Sequence, residues 1–139
     1  MDFLARRSHS ELELRQKLSR DYSLKEIELA IEDARLHGWL EKPHELAERV
    51  ALELSRKKKG HAFINRYLES KGLPKVAKDQ SEEILKAKAV IESKLKPLSQ
   101  PSREEKMERR NKIQRLLLNR GFDLETIRRT LQETGRQAT

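Results

Sequence analysis

Apolar residues recur along the chain at helical spacing. Ile113, Leu116 and Leu117 stand at i, i+3 and i+4 and share one helical face. Arg120 then falls in a last turn, where the helix dipole favours a cation. Gly121 supplies a left-handed C′ residue. Asp123 can cap a further helix over 123–133, with Leu124, Ile127 and Leu131 on its buried side. The phrase occurs twice more, closely in Ile64–Leu73, closed by Gly72, and more loosely in Leu14–Ser23, where the glycine is missing. Its anchor leucines are 18, 68 and 117, at steps of 50 and 49 residues, which marks an internal repeat.

The remaining elements follow from caps, stops and stripes. A helix ends over 2–7, and Ser8 or Ser10 starts the next, which runs to about Arg20 with Leu14 and Leu18 inward. Ser23 and Glu26 fit a capping box before a helix that buries Ile27, Ala30, Ile31 and Ala34 and stops at Gly38. Trp39 and Leu40 are expected to fold back onto it. Pro43 suits a helix first turn, and Leu46, Ala47, Val50, Ala51 and Leu54 mark the face that follows. A short helix over 61–71 buries Ile64, Tyr67 and Leu68. Pro74 opens a brief helix with Val76 and Ala77 inward, and Ser81 starts another with Ile84, Ala87, Ile91 and Leu95 as its stripe. Residues 96–102, with two prolines, form a linker, and Ser102 caps a long basic helix to Arg120. The tail after Gly135 is expected to fray. No strand pattern emerges. The expected fold is all-α, with helical modules at 1–40, 41–80 and 81–139.

Composition fits small stacked modules better than one large core. Apolar residues are 35% of the 139 and charged residues 39%. Cysteine is absent, so disulfides and thiol chemistry are excluded. The start carries no apolar signal core, and no run approaches membrane-spanning length; a soluble cytoplasmic protein is the expectation. The net charge is +8 and uneven: 7 Lys/Arg face 8 Asp/Glu over 1–40, 10 face 6 over 41–80, and 14 face 9 over 81–139. A surplus of this kind favours a polyanionic partner, nucleic acid or an acidic protein face. Arg56, Lys57, Lys58 and Lys59 end one helix with more cations than a dipole needs. Arg109, Arg110, Lys112 and Arg115 are expected on the outer face of the long basic helix, and Arg128 and Arg129 on the last one. These ten are the candidate contacts.

Catalytic chemistry has no carrier. His9, His37, His44 and His61 do not combine at metal-ligand spacing, and there is no glycine-rich phosphate loop or nucleophile elbow. No cofactor or metal is expected. Two non-catalytic readings remain: a basic helical DNA-binding module, with 112–133 as an outline helix-turn-helix, and an extended adaptor lying on a large partner.

Four phrases, in order and spacing, resemble the RecX regulatory proteins: Ser8–Leu18, Gly38-Trp39-Leu40, Lys59-Gly60 with Ile64, Leu68 and Lys71-Gly72, and Lys112–Phe122. The resemblance implies three tandem three-helix repeats in an elongated, curved molecule. It implies binding to the RecA filament on DNA, within the filament's groove, and restraint of its ATP hydrolysis, strand exchange and co-protease activity in DNA repair. DNA contact is attributed to some members; nothing requires a dimer or a membrane. The chain departs from the family pattern in having only seven residues before Ser8, which implies that the first helix of the first module is cut short, in following Glu41 with Lys42 and Pro43, and in a short 76–80 segment.

Overall fold

The computed structural model describes residues 10–137, which are helical apart from turns and two connecting segments, with no strand among them. Seven helices follow in order: α1 (Glu11–Leu18), α2 (Leu24–Leu36), α3 (Pro43–Arg56), α4 (His61–Ser70), α5 (Gln80–Lys94), α6 (Arg103–Asn119) and α7 (Leu124–Gln137). The helix expected over 2–7 and the start at Ser8 lie outside the described residues.

Short polar side chains begin these helices. The Ser10, Ser23 and Ser102 hydroxyls accept the backbone N–H of Glu13, Glu26 and Glu105. At Ser23 the box is reciprocal, because Glu26 Oε1 also accepts the Ser23 N–H. Asp123 Oδ1 takes the Thr126 N–H at 2.8 Å.

Four helix ends share one design. Trp39 N donates to Ala34 O and Gly38 N to Arg35 O; the same pair of bonds recurs at Lys59/Lys58, Leu73/Gly72 and Phe122/Gly121. This is the Schellman arrangement, which needs a left-handed residue at C′. Gly38, Gly72 and Gly121 occupy that place at φ +69°, +70° and +90°. The fourth place is held by Lys58, at φ +63°.

The chain forms two compact units, one of the described part of Met1–Ala51 with Tyr67–Val76, the other of Leu52–Arg66 with Ala77–Thr139. In the first, Leu14, Ile27 and Ile31 form a core with Leu18 and Leu40 against it. Arg15 and Arg35 tie α1 to α2 through Glu11 and Glu28. In the second, Ala87, Val90 and Ile91 of α5 pack with Ile113 and Leu117 of α6, Phe122, and Ile127 of α7. Leu95, Leu116 and Leu131 close the margin.

Several expectations are corrected. Residues 73–79 form no helix: Leu73 completes the Schellman turn, and Lys78 is drawn to Asp123 at 2.9 Å. α5 is capped by Asp79 and not by Ser81, since Asp79 Oδ1 accepts the Glu82 N–H. Trp39 is 46% exposed, its ring stacked on His37 at 4.7 Å, while Leu40 turns to the core in its place. Tyr67 flanks the buried Ile64–Leu68 stripe and stays exposed, with Lys71 Nζ over its ring. Leu124 is 72% exposed because Thr126 and Thr130 take the buried side of α7 beside Ile127. Their hydroxyls are satisfied, Thr130 Oγ1 by Thr126 O and Thr126 Oγ1 by Gln80, so burial costs little. The α7 backbone runs through Gly135 to Gln137 as helix.

Candidate interaction surface

All ten candidate cations belong to the second unit, where two helix ends meet. The C-terminus of α6 points its carbonyls at the N-terminus of α4. Gly60 N donates to Arg120 O at 2.8 Å and Ala62 N to Gly121 O at 3.0 Å. Donors orphaned at one helix start are thus satisfied by acceptors orphaned at another helix end. The approach requires glycine: a Cβ on Gly60 would lie 2.4 Å from the carbonyl carbon of Gly121, and one on Gly121 would lie 2.3 Å from Phe63 Cβ.

The turn between α3 and α4, residues 57–60, is fastened from inside by a buried ion pair. Lys86 Nζ meets Glu83 Oε2 at 2.5 Å, and the two residues are 6% and 4% exposed. Lys86 Nζ also donates to Lys59 O at 2.8 Å and Ser55 Oγ at 3.2 Å. Glu83 Oε1 accepts the His61 N–H at 2.5 Å. The cation therefore sits at the carbonyl end of α3 and the carboxylate at the amide end of α4, each where the helix dipole favours it. Arg120 adds a further hold, donating from Nη1 to Lys57 O at 3.3 Å.

These anchors use backbone groups and leave side chains outward. Arg56, Lys57 and Lys58 are exposed, with no ion pair among the described residues. Lys59 is half-buried, its Nζ 4.8 Å above the Phe63 ring. The cations of α6 do not share the single outer face expected of them. Arg109 lies toward the buried side and donates to Lys96 O at 2.6 Å, stapling the 96–102 connection. Lys112 and Arg115, at i and i+3, share an exposed flank, and at 3.6 residues per turn Arg110 falls on the other. On α7, Arg129 pairs with Glu125 at 3.0 Å, and Arg128 is exposed beside it.

Sequence reasoning missed Glu83 and Lys86. At i and i+3 on α5 they look like one more surface pair. Only the packing of α3 and α4 ends, 22 to 31 residues away, makes them interior. No group of three or more His, Cys, Asp or Glu among the described residues could hold a metal. Among the described residues no helix is long and apolar enough to cross a membrane.

Asp123, beside this joint, has a depressed pKa. Burial pushes its carboxyl up, but Lys78 Nζ and the Thr126 hydroxyl and backbone N–H outweigh burial and bring it to about 2.

Residues 81–131, from the first turn of α5 to Leu131 of α7, match the family model for the third three-helix domain of RecX. No curated protein matches the chain in sequence. Among solved structures, RecX from Lactobacillus salivarius shares the fold at a TM-score of 0.72 and 20% identity, over 95% of this chain and 89% of that one. A regulatory protein RecX shares it at a TM-score of 0.65 and 18% identity, over 90% of this chain and 64% of that one. The solved structures add a shared fold of repeated three-helix modules, and residues 81–131 are similar to the third three-helix domain of the RecX family.

Proposed function

We propose that this protein, a non-catalytic RecX-like regulator, acts on the RecA recombinase. In this reading it binds the RecA–DNA filament and restrains ATP hydrolysis, strand exchange and co-protease activity in DNA repair and the SOS response. It works in the cytoplasm as a monomer of three modules, 1–40, 41–80 and 81–139. The observation that carries the reading is the family match over 81–131, with an outward cationic turn built onto the same compact unit. Arg56, Lys57 and Lys58 form the first contact, with Arg110, Lys112 and Arg115 on α6 and Arg128 and Arg129 on α7 as further ones. Lys59 and Arg109 contribute mainly by shaping the surface, through Phe63 and Lys96 O. The mechanism is steric and electrostatic: the cations dock on an acidic face of the filament, and the bound body opposes filament growth or the subunit rearrangement coupled to ATP turnover.

The test compares the natural protein with Lys57→Glu/Lys58→Glu/Lys59→Glu for binding to RecA filaments and to single-stranded DNA alone, across a salt series. The filament reading expects tight filament binding, weak binding to naked DNA, and at least about a tenfold loss on charge reversal. Equal, steeply salt-dependent binding to naked DNA would favour a basic DNA-binding module that acts without RecA.

A further inference from the structure

The turn at 57–60 costs stability in two ways that its sister turns do not. Lys58 stands in a left-handed conformation where Gly38, Gly72 and Gly121 serve at the other three Schellman ends. An L-residue there is strained, and strain of this kind persists only where the surroundings over-determine it. The second cost is the interior ion pair of Glu83 and Lys86, whose charges are withdrawn from water. The contacts of that pair are not scattered. Lys86 Nζ holds Ser55 Oγ and Lys59 O, and Glu83 Oε1 holds the His61 N–H, so the pair brackets the turn on both sides. The anchors from Glu83 and Lys86 act on the inner side of the segment, and the side chains left outside are Arg56, Lys57 and Lys58.

We infer that Glu83 and Lys86 are positioning residues, which hold the 57–60 turn so that Lys57 and Lys58 project together onto an acidic partner surface. The inference rests on the reading that this turn is a filament contact. A pair serving only the core would support α5 and its neighbours whatever side chains the turn carried. A positioning pair matters to binding through the turn's cations and through nothing else.

A double-mutant cycle separates the two, with RecA filaments on single-stranded DNA as the probe. Lys86→Met alone strands a buried carboxylate and can fail to fold, so Glu83→Gln/Lys86→Met, which removes both charges and leaves an acceptor for His61 N–H, is the main variant. Circular dichroism establishes its fold, and the amide shifts of Lys57–Gly60 report the turn. It is expected to bind filaments about tenfold more weakly than the natural protein, with displaced Lys57–Gly60 amides. In a Lys57→Ala/Lys58→Ala background the same change is expected to cost less than about twofold. An equal loss in both backgrounds, or no loss in the natural one, overturns the positioning role while leaving the contact itself standing. Unchanged binding by Lys57→Ala/Lys58→Ala removes the contact, and the positioning role falls with it.

Discussion

Lys58 and Asp123 show how single side chains set the local energetics. At φ +63° Lys58 lacks the freedom that glycine brings to the equivalent place in three other turns. Lys58→Gly is expected to raise folding stability by about 1 kcal/mol, read as a higher midpoint in urea. It is also expected to weaken filament binding, since a projecting cation is lost. A stabilised variant that binds as well as the natural protein would make Lys58 a structural oddity and nothing more. Asp123 caps α7 and accepts from Lys78. Its carboxyl is depressed to about 2 in the folded chain, below the ordinary aspartate value of 3.8. A depressed acid stabilises the fold above the unfolded value, and that contribution fades as pH falls from about 4 towards 2. Asp123→Asn should therefore flatten the acid limb of stability in that window, measured by urea unfolding from pH 5 to pH 2. An acid limb identical to that of the natural protein would mean that the Lys78 contact is not formed in solution.

Helices were legible in the sequence wherever the signal was local. Ser23–Glu26, Ser102, Asp123 and the glycines at 38, 72 and 121 act within a few residues of themselves, and each stands where its pattern places it. The 3,4 spacing found Ile27, Ile31, Ile113 and Leu117 for the same reason. What failed depends on partners distant in the chain. Leu124 and Thr126 exchange their expected places because Gln80 offers the threonine a hydrogen bond. The Glu83–Lys86 pair is buried by the ends of two helices that the sequence of α5 does not mention. The end-to-end joint of α6 and α4 is another such case. Gly60 lies against the Gly121 backbone, which cannot yield as a flexible side chain can. Gly60→Ala is expected to destabilise the fold by about 1–3 kcal/mol, seen in thermal or urea denaturation. Leu117→Ala, at the centre of the second core, is expected to cost about 2–5 kcal/mol. A Gly60→Ala protein as stable as the natural one would mean that the α6 carbonyls do not reach α4 as described.

For the whole molecule, charge and the family-model match fall in the same compact unit. The surplus of cations lies after residue 40, and every candidate contact belongs to the unit that contains the segment similar to the RecX third domain. The turn at 57–60 is supplied by the chain before that domain and fastened by Glu83, Lys86 and Arg120 within it. A regulator of a filament differs from a plain DNA competitor in how little of it is needed. The most direct measurement is RecA's ATP hydrolysis on single-stranded DNA with this protein added well below the RecA concentration. Clear inhibition at substoichiometric amounts is the predicted result, weakened when Lys57, Lys58 and Lys59 are reversed to glutamate. Undiminished hydrolysis with the folded protein in excess would contradict regulation of RecA.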